Sequence, residues 1–93
     1  MDRDGYPEQQ ELFTIEKWDA KDLHGLMGYV ESLWHWAQYF NRHEDTYILH
    51  TGGWSGNEEI IGALMRNQMF WMFNWEQSRR GGHYIFSSMN KEE

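Results

Sequence analysis

The fold class is decided by residues 46–61, which read Thr-Tyr-Ile-Leu-His-Thr-Gly-Gly-Trp-Ser-Gly-Asn-Glu-Glu-Ile-Ile. The first six residues are β-prone, and they stop at Gly52-Gly53, which is a strong turn signal. Ser55 and Glu58 then have the spacing of a capping box, in which each side chain accepts from the other's amide at a helix start. A strand, a turn and a helix in close succession indicate a mixed α+β protein.

Two amphipathic helices are predicted on either side of this segment. The first covers 19–41, where Asp19 is the N-cap candidate because its carboxylate can accept from free amides of the first turn. Its apolar stripe has helical spacing and comprises Leu23, Leu26, Val30, Leu33, Ala37 and Phe40. The second covers about 56–78 and is predicted to end at the glycines of 79–82. Its stripe comprises Ile61, Leu64, Met65, Met69, Met72 and Trp75.

The remaining segments complete the predicted fold. Residues 83–87 are expected to form the last strand, and the short β-prone run 11–16 is a weaker strand candidate. We therefore expect a small single α+β domain, with two amphipathic helices packed on a short two- or three-stranded sheet. A mostly helical protein with a minor hairpin is the alternative. A flexible arm is expected over 1–10, the domain over 11–88 and a polar tail over 89–93.

The composition limits the classes of function. Fifteen acidic residues against eight basic ones give the 93-residue chain a net charge of −7, and the only basic cluster is Arg79-Arg80. Direct nucleic-acid binding is therefore disfavoured, since it depends on clustered Lys and Arg. The absence of Cys excludes disulfides and thiolate chemistry. No membrane span or signal peptide is visible, so we expect a cytoplasmic protein that does not contact membrane.

The second predicted helix carries more apolar surface than one stripe needs, because residues 69–73 are apolar all round. Such a segment is either central in the core or covered by a partner. Aromatic and Met side chains are typical of binding hot spots, so the second interpretation predicts a protein partner or self-association. The candidate interface residues are Met69, Phe70, Trp71 and Phe73, with Trp36 from the first helix.

The glycine-rich segment 51–58 suggests a different class of function. It lies between a predicted strand and a helix, where backbone amides and the helix N-terminus can hold an anion. It lacks the Gly-Lys-Ser/Thr ending of a phosphate loop, so a tight turn with a helix cap is the alternative. The candidate ligand-binding residues are Trp54, Ser55, Asn57, Glu58, His83 and Tyr84. Nothing assigns these residues a reaction, and no catalytic residue or cofactor is predicted.

Two of the five histidines are expected to lie close together, because His50 and His83 fall on strands that we expect to be neighbours, each beside a Gly-Gly pair. With Glu58 they could form a site for a metal ion or for proton transfer. The alternative is two partly buried imidazoles that are hydrogen-bonded to backbone. The sequence itself assigns no metal ion.

Part of the chain resembles a group of small uncharacterised proteins that bacteriophages and prophages encode. The resemblance rests on Thr51–Glu58, on Phe70-Trp71 and Trp75, and on Ser78–Phe86, and it covers somewhat under half of the chain. It implies expression in the cytoplasm of an infected bacterium and a role in adjusting host or phage machinery. It implies no catalytic residues. Together with the apolar excess, it predicts a protein–protein interaction module.

Overall fold

The computed structural model of the protein describes residues 1–88, so the tail predicted over 89–93 lies outside the described residues. Within that range, four α-helices and a four-stranded antiparallel sheet form one mixed α+β domain. The α+β class is confirmed, with more elements than expected. The elements are α1 Gln9–Lys17, α2 Leu23–Leu33, a 3-10 turn Ala37–Tyr39, β1 Phe40–His43, β2 Thr46–His50, α3 Ser55–Arg66, α4 Gln68–Asn74, β3 Trp75–Arg79 and β4 His83–Ser87.

The sheet has the strand order β1-β2-β4-β3, so the two strands that the sequence predicted most clearly, β2 and β4, lie at its centre. They pair with Tyr47 opposite Phe86 and with His50 opposite His83. Because successive residues of a strand face opposite sides, these two pairs lie on opposite faces of the sheet. Tyr47 and Phe86 are buried, whereas His50 and His83 are only partly covered.

The strand predicted over 11–16 is wrong, because these residues belong to α1. Glu8 is the N-cap of α1, and its amide donates to Glu11 Oε1 at 2.8 Å. Ile15 is fully buried, and α1 packs against α3. Packing thus overrides the β propensity of a short apolar run, as is common for weak local preferences. The first two residues of α1 also fall in the segment expected to be an arm.

The first predicted helix is shorter than expected, because α2 spans Leu23–Leu33 rather than 19–41. Asp22 is its N-cap, not Asp19, and Asp22 Oδ1 accepts from the Gly25 amide at 3.0 Å. The end of the predicted helix instead forms the 3-10 turn and β1. The apolar spacing continues beyond the end of α2 because Phe40 is also buried, but it lies in the strand β1 and not in a helix.

The second predicted helix is divided at Asn67 into α3 and α4. Its last predicted residues instead form the strand β3. Asn67 Oδ1 accepts from the Phe70 amide at 3.3 Å. Its Nδ2 donates to the carbonyl oxygens of Ile15 and Trp18, both at 3.0 Å. The break therefore occurs where a buried polar side chain satisfies the ends of two helices at once.

The two ends of the second predicted helix are also corrected. Trp54 is the N-cap of α3, Ser55 is its first residue, and no capping box forms there. Gly81 and Gly82, expected to stop a helix, both have φ of +83° and turn β3 into β4. A two-glycine turn with positive φ suits a tight hairpin as well as it suits a helix end.

The core is apolar and lies between the helices and one face of the sheet. Side chains that are less than 2% exposed include Ile15, Leu26, Met27, Val30, Leu49, Ile60, Leu64, Phe70 and Phe86. None of the helices within residues 1–88 is long and apolar enough to cross a bilayer.

Candidate functional site

The loop between β2 and α3 brings the backbone unusually close to two aromatic rings. Gly52 and Gly53 have φ of +65° and +79°, a region that L side chains rarely occupy. A Cβ on Gly52 would lie 2.8 Å from ring carbons of both Trp36 and Tyr39. Gly52 is therefore required on two counts, the backbone conformation and the space that the rings leave.

The second glycine pair of the sequence lies against the first. The amide of Thr51 donates to the carbonyl oxygen of Gly82 at 3.0 Å. A Cβ on Gly82 would lie 2.1 Å from Thr51 Oγ1, and that hydroxyl accepts from the Gly53 amide at 3.2 Å. The two glycine motifs thus form one continuous structure.

Asn57 holds this structure to the segment after α2. It is fully buried, and its Oδ1 accepts from the amide of His35 at 3.0 Å. Its Nδ2 donates to the carbonyl oxygen of His35 at 3.0 Å and to that of Thr51 at 3.3 Å. These bonds keep the backbone at His35 out of a helix, and Asn57 has no polar group left over for a ligand.

Seven contacting rings surround the hydrogen bonds of Asn57, and they are here called the aromatic–histidine cluster. Its members are Tyr6, His35, Trp36, Tyr39, His50, Trp54 and His83. His35 stacks on Trp54 with centroids 4.3 Å apart, and Trp36 meets Tyr39 edge-on at 5.8 Å. The cluster follows the glycine loop from the N-terminal segment to the sheet.

Trp36 is the strained and exposed member of the cluster. Its φ is +68°, and 40% of its surface is exposed. A bulky residue in the left-handed region costs about 1–3 kcal/mol, and such residues concentrate at functional positions. Trp36 is one of the interface residues predicted from the sequence, and its exposure is compatible with that role.

The predicted ligand-binding residues are only partly brought together. Trp54 and His83 both belong to the aromatic–histidine cluster. Ser55 is exposed and its hydroxyl lies 3.1 Å from that of Tyr6. Tyr84 faces the other side of the sheet, where it contacts Trp71. Together with the buried Asn57, this distribution does not form one ligand site at the helix start.

The histidine pair is formed as the sequence suggested. His50 and His83 are register partners on β2 and β4, and their ring centroids are 4.1 Å apart. His50 Nε2 lies 2.9 Å from the carbonyl oxygen of Gly81. Glu58 does not complete a metal site, because residues 1–88 contain no group of three or more His, Cys, Asp or Glu placed to hold one ion.

A second candidate surface, here called the α4–β3 surface, consists of Met69, Trp71, Met72, Phe73 and Trp75. Met69, Met72 and Trp75 are 55%, 69% and 40% exposed, and the other two are half-buried. The rings of Trp71 and Trp75 stack with centroids 5.8 Å apart. Phe70, which was also predicted to lie in the interface, is instead fully buried against Phe86.

One part-buried polar contact was not predicted from the sequence. The hydroxyl of Tyr47 lies 2.6 Å from His24 Nδ1, and His24 Nε2 lies 3.3 Å from Asp45 Oδ1. Burial raises the pKa of the Tyr47 hydroxyl, an effect that Arg42 partly opposes. The contact between Tyr47 and His24 ties α2 to the central strand.

Three members of the aromatic–histidine cluster were missed as site residues, namely Tyr6, His35 and Tyr39. Two of them lie in the stretch predicted to be helical, where the surplus of aromatic residues beside the main stripe was the available signal. Comparison with known proteins adds no further assignment: no protein-family model, curated protein or solved structure matches the chain.

Proposed function

We propose that this chain is a protein-binding module whose α4–β3 surface buries apolar side chains of a partner protein. The observation that carries the proposal is the exposure of Met69, Met72 and Trp75 within seven consecutive residues. Single exposed apolar residues are ordinary, but a contiguous group of large ones is typical of an interaction site.

The composition of this surface supports a protein as the occupant. Trp is enriched at binding hot spots, and Met side chains adapt to irregular partner surfaces. The stacked pair Trp71 and Trp75 offers a rigid aromatic area beside the flexible side chains of Met69 and Met72. A rigid anchor with adaptable neighbours loses little conformational entropy when it binds.

The charge of the chain supports a partner with a basic surface. The net charge of −7 attracts a basic protein over long range and repels a second copy of the chain. The resemblance to phage-encoded proteins extends the proposal, since it points to a component of host or phage machinery. Binding should then weaken as salt is added, because screening shortens the range of this attraction.

The experiment compares partner capture by three forms of the chain from a nuclease-treated bacterial lysate. The test variant is Met69→Ser with Met72→Ser, and the control is Met65→Ser, whose parent side chain is 46% exposed but lies on α3. Each exposed substitution should change stability by no more than about 0.5 kcal/mol. Circular dichroism and urea unfolding confirm that all three forms fold.

We expect a partner that the parent and the Met65 variant retain, that the double variant loses, and that salt releases. A partner that the double variant retains would contradict the proposed surface. Absence of any captured protein would contradict the proposed function. If the parent instead forms a dimer in solution that the double variant abolishes, the occupant is a second copy, and the proposal of a basic partner is wrong.

A further inference from the structure

We propose that His50 and His83 together bind one divalent transition-metal ion of the zinc, nickel and copper class. This site is separate from the α4–β3 surface and does not depend on the function proposed for it. The two residues are direct register partners on the central strands, and their ring centroids lie 4.1 Å apart. Imidazole nitrogen is a preferred ligand of these ions.

The hydrogen bond of His50 selects the nitrogen that is available for a metal ion. A carbonyl oxygen only accepts, so the contact of 2.9 Å to Gly81 requires the proton on His50 Nε2. Nδ1 then keeps its lone pair. Metal-binding histidines commonly donate their second nitrogen to a carbonyl in this way, which orients the ring and makes the ligand more basic.

His83 can supply the second nitrogen. Within residues 1–88 its ring has no hydrogen-bond partner, and the side chain is only half-buried. A ring that no hydrogen bond holds can turn toward its neighbour. Since metal–nitrogen bonds are about 2.0–2.1 Å long, two neighbouring imidazoles can share one ion after such a rotation. Water would fill the other coordination positions.

One charged group opposes a cation at this place. Arg79 is the register partner of His83 on β3, and its Nε donates to Gln77 Oε1 at 3.1 Å. Because like charges repel, replacing Arg79 by Gln should tighten metal binding. The same change would weaken binding of an anion, so this variant distinguishes the two kinds of ligand.

The test is a calorimetric titration of the untagged full chain with NiCl2. We expect saturable binding of one ion per chain, and at least about a tenfold loss of affinity in His50→Ala and in His83→Ala, since even indirect ligand changes cost that much. His43→Ala is the matched control, because His43 is exposed on the edge strand β1 and should bind no ion. Arg79→Gln should bind more tightly than the parent.

A second measurement guards against variants that fail to fold. In the parent chain, ZnCl2 should shift the side-chain NMR signals of His50 and His83 together and leave those of His43 in place. The proposal is overturned if the parent shows no saturable binding, or if a folded His50→Ala variant binds as tightly as the parent. Weaker binding in Arg79→Gln, or zinc shifts confined to other histidines, would overturn it as well.

Discussion

At the scale of single residues, buried polar side chains determine where helices end and the backbone changes direction. Asn57 and Asn67 are both buried, and each bonds backbone groups of a segment that is distant in sequence. Nearly all buried polar groups in proteins are hydrogen-bonded, so each of these side chains favours one particular backbone path. The strained Trp36 persists because the backbone of His35 beside it is held in this way.

The role of Asn57 predicts a large loss of stability in Asn57→Ala. The change would leave the amide and the carbonyl of the half-buried His35 without their partner, which should cost about 1–3 kcal/mol. Urea unfolding measures the loss. Glu58→Ala is the control, because Glu58 is exposed in the same helical turn and should change stability by less than about 0.5 kcal/mol. Equal stability of the two variants would show that the hydrogen bonds of Asn57 to His35 do not stabilise the fold.

Tyr47 predicts a loss of stability at alkaline pH. Burial raises the pKa of its hydroxyl above the ordinary value of about 10, so folding favours the protonated form. The protonated hydroxyl makes its full contribution to the free energy of unfolding below about pH 10. This contribution is lost as the pH rises through the pKa of the folded state. The stability advantage of the parent over Tyr47→Phe should be about 1 kcal/mol near neutral pH, because of the bond to His24. Urea unfolding should show that advantage shrinking above pH of about 10, and a constant advantage would contradict the assignment.

At the scale of elements, local patterns found the central strands and the apolar faces but not the helix ends. β2 and β4 were predicted because their β-prone runs stop or start at glycine pairs that the turns require. The break at Asn67 was missed although Asn is a favoured N-cap residue, because its other partners, Ile15 and Trp18, lie about fifty positions earlier. The aromatic–histidine cluster was predicted only in parts for the same reason, since its rings come from five separate segments.

The helix break predicts what happens when its side chain is removed. Asn67→Ala loses the cap of α4 and the two bonds to the end of α1, so we expect a cost of about 2–4 kcal/mol. Thermal unfolding followed by circular dichroism measures this cost. Gln68→Ala is the matched control, because Gln68 is the exposed first residue of α4. A variant as stable as the control would mean that apolar packing, and not Asn67, divides the helices.

At the scale of the whole molecule, the exposed apolar surface does not result from loose packing. The radius of gyration is 12.3 Å, which agrees with the value of about 12 Å expected for a compact chain of this length. Phe70, Phe86 and Leu64 are completely buried, while Met72 in the same helix as Phe70 is 69% exposed. The chain therefore has a buried core and an apolar surplus at the surface, which is what the proposed binding function requires.

This division between core and surface predicts opposite results for two neighbours on α4. Phe70→Ala should cost about 3–5 kcal/mol, which is a large share of the about 5–15 kcal/mol that holds a domain folded. Met72→Ala should cost less than about 0.5 kcal/mol, because most of its side chain already contacts water. Urea unfolding separates the two effects, and partner capture then tests the surface independently of the core. If Met72→Ala destabilises the fold as much as Phe70→Ala does, α4 is buried on both sides, and the apolar surplus belongs to the core of the monomer rather than to an interface.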